Sequence, residues 1–268
     1  MAELTALTAK SADRHKLYEE SVQNPEEEIR FIRRVYKSAY GRFPTLIRED
    51  FCGTAAVCRE WVRKDQGNRA IGVDLDEEVL EWGRRHNVAP LGSAAGRVAL
   101  HRRNVLDPPP DERPHVVTAM NFSYFAFKSR SVLLEYFREV HRSLHQRGMI
   151  LLDIYGGPEA MVLQEEETEY EDYSYVWDQD HYDPVTADYR CYIHFRFPDG
   201  TEIPRAFQYD WRLWGLPEIQ DLLREAGFSK VTVYWEGADE DGEGNGVFKA
   251  VKTGENDAAW IAYIVGIR

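Results

Sequence analysis

The sequence predicts an α/β fold, in which helices cover both faces of a parallel sheet and an antiparallel β insertion follows the fifth strand. Three observations predict it. From Thr45 onward, short apolar runs alternate with amphipathic helical stretches, which is the rhythm of β-α units. After Gly156-Gly157 this rhythm gives way to long, aromatic, partly alternating segments. Beyond residue 212 the helix and strand patterns return.

A helix is expected before the first strand. Asn24 is a favoured cap residue, Pro25 occupies the first helical position, and acidic residues at 26–28 fill the first turn. Apolar side chains then recur at helical spacing as far as Ala39.

The core elements follow in order. Strands are predicted at Thr45–Phe51, Arg69–Leu75, Val98–His101, His115–Met120 and Met149–Tyr155, and later at Lys230–Trp235 and Trp260–Ile267. Helices are predicted at Thr54–Lys64, Asp76–His86, Ser131–Gln146 and Pro217–Gly227. A short apolar run occupies Val247–Val251, and the acidic, glycine-rich stretch Glu236–Gly246 is expected to be a mobile surface loop.

The insertion contains a hairpin signal. Two alternating segments, Tyr189–Phe197 and Thr201–Trp211, are separated by Pro198-Asp199-Gly200, a sequence typical of a tight turn. An antiparallel hairpin is therefore expected between the two segments.

Composition argues against several classes of function. The 268 residues include 33 Lys and Arg against 46 Asp and Glu, a formal charge of −13 that opposes binding to nucleic-acid phosphates. The chain has no apolar run of about 18 residues, the length that spans a bilayer, and no signal-peptide core at its N-terminus. Its three cysteines cannot all pair. We therefore expect a reduced, cytoplasmic protein that binds neither nucleic acid nor membrane.

The turn after the first strand is the main candidate for a ligand site. In open α/β sheets, ligands bind at the carboxyl ends of the strands, where a turn of small residues lets the backbone approach them. The first strand runs through Glu49 into Cys52-Gly53-Thr54, and a helix follows directly. The second strand ends at Asp74, where a carboxylate can accept hydrogen bonds from both ribose hydroxyls of an adenosine cofactor.

At these residues the sequence resembles the class I S-adenosylmethionine-dependent methyltransferases. Their first motif is an acid followed by alternating glycines, and it often ends in Cys-Gly-Thr-Gly. Glu49 matches the acid and Cys52-Gly53-Thr54 matches the centre, while Phe51 and Ala55 replace the first and third glycines. The resemblance is good over residues 45–155. The whole chain also resembles one bacterial branch of that superfamily, a likeness that implies no substrate.

The resemblance implies a Rossmann-like seven-stranded sheet that binds S-adenosylmethionine and releases S-adenosylhomocysteine. Asp74 would bind the ribose, Leu75 would pack on adenine, and Asn104 and Val105 would contact the adenine edge. The implied cofactor-binding residues are Glu49, Phe51, Cys52, Gly53, Thr54, Asp74, Leu75, Asn104, Val105, Asn121 and Phe122. We expect a helical cover over 1–44, a cofactor-binding core over 45–157 and 213–268, and a substrate lid over 158–212.

Alternatives stay open for several of these residues. Asp74 could instead cap the following helix, although Asp76 is better placed to do so, and Asn104 could be a turn residue. Asn121 begins Asn-Phe-Ser-Tyr, where superfamily members that methylate nucleobases often carry Asn/Asp-Pro-Pro-aromatic. Both prolines are missing, which together with the acidic charge disfavours a nucleobase acceptor. The histidines form no metal-binding signature, and no metal is predicted.

Aromatic residues are concentrated in the insertion. Those between residues 158 and 215 are Tyr170, Tyr173, Tyr175, Trp177, Tyr182, Tyr189, Tyr192, Phe195, Phe197, Phe207, Tyr209, Trp211 and Trp214. They could form the core of a small antiparallel sheet. They could also line a lid that excludes water and surrounds the acceptor or the sulfonium through cation–π contacts.

No catalytic residue stands out. Tyr18, Asp153, His181 and Tyr209 are candidates for a base that removes a proton from the acceptor. Arg212 could hold an acceptor carboxylate or phosphate, or could pair with a nearby acid.

These observations predict methyl transfer to a small-molecule acceptor by in-line displacement. One alternative is an NAD(P)-dependent oxidoreductase, which the absence of G-x-G-x-x-G disfavours. Another is a non-catalytic module that binds S-adenosylmethionine.

Overall fold

The computed structural model describes residues 7–110, 112–239 and 244–268, which form six α-helices and twelve strands. The helices are α1 (Arg14–Val22), α2 (Pro25–Tyr40), α3 (Ala56–Lys64), α4 (Glu77–Gly83), α5 (Arg130–Ser143) and α6 (Leu216–Glu225). The strands are β1 (Leu46–Asp50), β2 (Arg69–Asp74), β3 (Val98–Arg102), β4 (Val116–Ala119), β5 (Met149–Gly156), β6 (Gln164–Glu169), β7 (Ser174–Tyr182), β8 (Asp188–Arg196), β9 (Glu202–Arg212), β10 (Lys230–Ala238), β11 (Gly244–Val251) and β12 (Trp260–Ile267). None of these helices combines the length and the apolar character that crossing a bilayer requires.

Helix α2 begins and ends as its sequence predicts. The side chain of Asn24 accepts a hydrogen bond from the backbone N–H of Glu27 at 3.3 Å, and Pro25 opens the helix. Gly41 ends it in the left-handed conformation, with φ of 72°, which glycine adopts without steric cost.

Eight strands form the central sheet in the order β11-β10-β12-β5-β4-β1-β2-β3. Strands β1 to β5 pair in parallel. Strand β12 then pairs antiparallel with β5, β10 with β12, and β11 with β10. The predicted α/β architecture is confirmed, and the carboxyl ends of β1, β2, β4 and β5 lie together at one edge of the sheet.

The sheet has eight strands where seven were expected. Residues 236–246 were expected to form a mobile loop, but β10 extends to Ala238 and β11 begins at Gly244, so both ends of this stretch are strand; residues 240–243 lie outside the described residues. Backbone pairing with β10 holds β11 in place, and Phe248 stacks on Tyr263 with ring centroids 3.9 Å apart. Phe248 is the only buried side chain of β11, so the strand lacks a clear apolar pattern.

Helices cover both faces of the central sheet, as predicted. Helices α2 and α3 pack on one face through residues such as Ile32 and Trp61, both fully buried. Helices α5 and α6 pack on the other face through Phe137 and Leu223. Because both faces are buried, β4 and most of β2 and β5 are apolar, whereas β1 buries Arg48, Glu49 and Asp50.

The insertion forms a second, four-stranded antiparallel sheet in the order β6-β7-β8-β9. The predicted hairpin is confirmed as β8 and β9, and β6 and β7 extend it. Tyr189, Cys191 and Trp211 join the core of the central domain, whereas Phe195 and Phe197 pack with Leu17 of α1. The insertion therefore contacts both the central sheet and the N-terminal helix.

Candidate functional site

The turn between β1 and α3 alternates between ordinary and left-handed backbone. Phe51, Gly53 and Ala55 have φ of 59°, 49° and 62°. A left-handed conformation costs a residue with a Cβ roughly 1–2 kcal/mol. The two positions where glycine was expected thus keep the backbone shape that favours glycine, although they carry Phe and Ala.

Packing holds these two residues in place. The Phe51 ring lies edge-on to Phe127 and Tyr136, with centroid distances of 5.7 and 6.0 Å. Ala55 is fully buried, and its backbone N–H donates to the carbonyl of Cys52 at 2.7 Å. Such contacts offset the backbone strain.

The side chain of Glu49 connects the end of β1 to the start of α3, on either side of the same turn. Its Oε2 accepts a hydrogen bond at 3.0 Å from the backbone N–H of Cys58, in the first turn of α3. Ala55 precedes this helix and has no capping side chain, so Glu49 supplies the missing acceptor. The pKa of Glu49 is raised to about 7, mainly by burial and to a smaller extent by the nearby charge of Asp74.

Asp74 joins the ends of β1 and β2. Its Oδ2 accepts from the backbone N–H of Gly53 at 2.8 Å, and its Oδ1 accepts from Asp76 N–H at 3.0 Å. Asp76, as expected, is the residue that caps α4. Beside Asp74 the side chain of Leu75 is 63% exposed, an open apolar surface at the end of the strand.

Asn104 and Val105 follow β3 in a tight turn. The Asn104 side chain accepts from the backbone N–H of Leu106 at 2.9 Å, and its carbonyl accepts from Asp107 N–H at 2.8 Å. These are the contacts of a turn residue. Asn104 is nonetheless exposed at the carboxyl edge of the sheet, while Val105 is buried.

Asp153 shapes the turn after β4. Its two carboxylate oxygens accept hydrogen bonds from the backbone N–H groups of Asn121, at 2.7 Å, and Phe122, at 2.9 Å. Both of these residues are left-handed, with φ of 56°. Burial raises the pKa of Asp153 to about 7. The carboxylate is thus already engaged in holding the backbone of the turn.

Sequence reasoning missed one acidic residue near this site. Glu28, on α2, is 4% exposed, and its Oε2 finds no hydrogen-bond partner within residues 7–110, 112–239 and 244–268. Burial raises the pKa of Glu28 well above its ordinary range, and the charges of Glu49 and Asp153 add to this. A signal was present, because Glu28 shares the helix face of Ile32 and Val35 but was interpreted only as part of the acidic first turn.

Glu28, Glu49 and Asp153 form what we call the carboxyl cluster. In the described part of the chain, no basic side chain pairs with any of the three. The described residues also include no group of three His, Cys, Asp or Glu side chains arranged to hold a metal ion.

A cavity of about 890 Å³ opens between the insertion and the carboxyl edge of the central sheet. Its lining residues are Tyr18, Val22, Asn121, Phe122, Tyr155, Gly156, Glu159, Ala160, Glu166, Tyr175, Trp177, Gln179, Ile193, Tyr209, Trp211, Trp235, Glu236, Gly237, Ala238, Gly244, Asp257, Ala258, Ala259, Trp260 and Ile261. Asn121 and Phe122 connect this cavity with the strand ends just described.

Two of the five catalytic candidates line the cavity. Tyr18 and Tyr209 meet there, and their hydroxyl groups interact; burial raises the pKa of Tyr18 to about 12 and that of Tyr209 well above its ordinary value. Asp153 lies behind the Asn121 turn.

The remaining two candidates lie outside the cavity. His181 is exposed, because a β-bulge after Gln179 breaks the alternation that would have turned it inward. Arg212 faces away from Trp211 on β9, pairs with Glu218 at 3.2 Å, and stacks on Trp214 at 3.9 Å.

Helix α1 and its cap residue Asp13 contact both the central domain and the insertion. Asp13 accepts a hydrogen bond from Trp82 Nε1 of α4 at 2.7 Å, and Glu19 accepts from Asn87 Nδ2 at 2.6 Å. On the other side, Tyr18 packs against Phe207 of the insertion with a centroid distance of 4.8 Å. The helix thus bridges the strand ends and the second sheet.

An S-adenosylmethionine-dependent methyltransferase from Clostridium acetobutylicum is similar over 94% of this chain and 96% of its own, with a TM-score of 0.67 and 15% identity. The chain has the fold of these methyltransferases. The sugar N-methyltransferase KedS8 from a Streptoalloteichus species shares the methyltransferase fold over 98% of this chain and 94% of its own, with a TM-score of 0.64 and 17% identity.

The methyltransferase fold is also shared by CalS10, an amino pentose methyltransferase from Micromonospora echinaspora with S-adenosylmethionine bound. It covers 93% of this chain and 95% of its own, with a TM-score of 0.64 and 12% identity. These neighbours are bacterial, in agreement with the bacterial branch that the sequence resembles. No protein-family model and no curated protein sequence matches the chain.

Proposed function

We propose that this protein is an S-adenosylmethionine-dependent methyltransferase that acts on a small-molecule acceptor. The carboxyl cluster is the observation that carries the proposal. Three buried carboxyl groups with raised pKa values and no basic partner are unfavourable by themselves, and a cationic ligand would compensate them. S-adenosylmethionine supplies, when bound, a methyl group on a positively charged sulfur, and it also carries an ammonium group.

The surrounding residues fit the rest of such a cofactor. Asp74 would bind the ribose hydroxyls with the carboxylate that already holds Gly53, and exposed Leu75 would cover the adenine. The buried hydroxyl of Thr54, like Glu28 Oε2, has no hydrogen-bond partner in the part of the chain that the structure describes. Asn104 and Val105 would lie at the adenine edge, and Asn121 and Phe122 between cofactor and acceptor.

The chain's own contribution to catalysis would be position and exclusion of water. The cavity beyond Asn121 is walled by aromatic side chains of the insertion, which we propose to be the substrate lid, and by α1, the helical cover. Tyr18 and Tyr209 stay protonated at neutral pH, because burial raises pKa values that already lie far above 7. We propose that their hydroxyl groups position the acceptor through hydrogen bonds and that the leaving proton passes to solvent.

The same cluster disfavours the dinucleotide alternative. A pyrophosphate beside the Phe51–Ala55 turn would lie close to the carboxyl groups of Glu49 and Asp74 with no cation to balance it. The formal charge of −13 likewise supports a small-molecule acceptor over a nucleic acid. The three cysteines are all unpaired and buried, which supports a reducing, cytoplasmic location.

Calorimetry on the full chain with S-adenosylmethionine, S-adenosylhomocysteine and NAD tests the proposal. We expect both sulfur ligands to bind and NAD not to bind. Binding of NAD without either sulfur ligand would exclude a methyltransferase. Binding of the sulfur ligands without methyl transfer to any member of a broad acceptor panel would favour the non-catalytic module.

A further inference from the structure

The acceptor cavity has an unusual balance of charge. Four acidic residues line it, Glu159, Glu166, Glu236 and Asp257, and its described lining contains no Lys, Arg or His. None of the four acids forms an ion pair with a basic side chain in the described ranges. Among the described residues, the side chain of Glu166 accepts a hydrogen bond only from Gln164, at 2.8 Å, and that of Glu236 only from the backbone N–H of Gly246, at 2.9 Å. The cavity thus presents negative charge that no basic side chain of its described lining balances.

Two groups of aromatic rings form the walls between these acids. On the insertion, Trp177, Tyr209 and Trp211 lie together, with centroid distances of 4.4 to 6.1 Å. On the central sheet, Trp235 and Trp260 lie 4.9 Å apart at an angle of 35°. Indole and phenol faces attract cations, most strongly where water is excluded.

We propose that the acceptor is a positively charged amine that carries no phosphate or carboxylate group, an assignment that rests on the proposed methyltransferase function. Unpaired carboxylates around the cavity attract a cation and repel an anion, and the aromatic walls add a second attraction for the same charge. An acceptor phosphate would find no basic side chain in the described lining.

The amine binds as an ammonium ion and reacts as the free base. It first releases a proton to solvent; its lone pair then bonds to the methyl carbon, and the carbon–sulfur bonding pair stays on sulfur. The product nitrogen is again positively charged and now carries an additional methyl group. Aromatic walls favour such a methylated ammonium group.

Matched ligand pairs test this assignment by calorimetry in the presence of S-adenosylhomocysteine. The first pair is 2-phenylethylamine and 3-phenylpropanoate, which differ in the charge of one terminal group. The second pair is glucosamine and glucosamine 6-phosphate, in which the amine is kept and a phosphate is added. We expect the cation of at least one pair to bind about tenfold or more tightly than its anionic partner at low salt, and the preference to shrink as ionic strength rises.

Charge-removing variants identify the cavity as the source of the preference. The double variant Glu166→Gln, Glu236→Gln should reduce the preference severalfold. Glu165→Gln is the matched control, because Glu165 is the neighbour of Glu166 on β6, pairs with Arg196 at 2.8 Å and does not line the cavity.

The outcomes separate the two proposals. If S-adenosylhomocysteine binds but no cation is preferred, or no cation binds, the amine assignment is overturned and the methyltransferase proposal stands. The amine assignment also fails if the double variant and Glu165→Gln behave alike. If amines are preferred but no sulfur ligand binds, the methyltransferase proposal is overturned, and with it the role of the amine as acceptor.

Discussion

The backbone N–H of Gly53 donates to Oδ2 of Asp74 across 2.8 Å, so the turn after β1 and the end of β2 form one rigid unit. The carboxylate proposed to bind the cofactor ribose is therefore also a structural support of the turn. Substitution of Asp74 should therefore affect the backbone of the turn as well as the proposed cofactor binding.

Asp74→Ala should weaken binding of S-adenosylhomocysteine by tenfold or more, because the charged acceptor for the ribose hydroxyls and the support for Gly53 are both lost. Calorimetry measures this directly. Asp76→Ala is the control: it removes the cap of α4, so it should lower the free energy of unfolding by about 1 kcal/mol with a smaller effect on binding. Unchanged affinity in Asp74→Ala would remove this residue from the site.

Ligand binding should release protons near neutral pH. The pKa values of Glu49 and Asp153 are raised to about 7 and that of Glu28 is raised well above its ordinary value, so the ligand-free protein holds protons that a cationic ligand displaces. Affinity for S-adenosylmethionine should therefore increase as pH rises through 7. Calorimetry in buffers of different ionisation enthalpy counts the protons released.

The same raised pKa values set the sign of the effect on stability. When the pKa of a carboxyl group is higher in the folded than in the unfolded state, the protein becomes less stable as pH rises. The loss begins near the pKa of the unfolded state, about 4.5, and continues until pH passes the pKa of the folded state. Glu28→Gln should stabilise the ligand-free protein at pH 8 and change it little at pH 5. It should also reduce proton release on binding. Glu26→Gln, on the exposed face of the same helix, should do neither; equal effects of the two would contradict the cluster.

The left-handed backbone of Ala55 predicts an asymmetry with its neighbour. Ala55 and Ala56 are both fully buried, but only Ala55 has positive φ. Ala56→Gly should lower the free energy of unfolding by about 1 kcal/mol or more, since it removes a methyl group and favours the unfolded chain. In Ala55→Gly, relief of strain should offset the lost methyl group, leaving little net change. Urea unfolding of both variants measures the difference, and equal losses would contradict it.

Gly83 illustrates where steric contact outweighs helix propensity. A Cβ at Gly83 would lie 2.5 Å from the backbone oxygen of Thr54, in the turn that faces the proposed cofactor. Gly83→Ala should therefore destabilise the protein and weaken S-adenosylhomocysteine binding, although alanine is the better helix former by about 1 kcal/mol. Gly96→Ala meets no atom within 4 Å and should be nearly neutral in both measurements. Thermal unfolding and calorimetry of the two variants measure these effects on stability and binding. If Gly83→Ala were more stable than the unsubstituted protein, the backbone at Thr54 would have to move away from the added methyl group at little cost.

The sequence predicts those helices and strands whose signals lie within a short stretch of the chain. Buried parallel strands such as Met149–Gly156 are apolar runs interrupted by few polar residues, and the caps at Asn24 and Asp76 have short-range signatures, so the sequence predicts these elements to within a few residues. Strand β11 was missed because an edge strand buries only Phe248 and is held by pairing with a distant segment.

The candidate site was predictable only in part, for the same reason. The carboxyl ends of neighbouring strands come together by topology, which brings Asp74 to Gly53 as expected. Glu28 comes to Glu49 and Asp153 only through the packing of α2 on the sheet, which no spacing reveals. One bulge decides that Gln179 lines the cavity and His181 does not.

In the turn at Phe51, Gly53 and Ala55, residue identity and backbone conformation differ in how far they follow the glycine pattern. Two of the three residues are not the glycines of the proteins that the sequence resembles, yet all three have torsion angles in the region that favours glycine. A bound ligand meets the path of the backbone and its N–H groups, and these depend on torsion. The shape that this turn offers a ligand therefore depends on the torsion angles that Phe51 and Ala55 adopt, and it does not require glycine at those two positions.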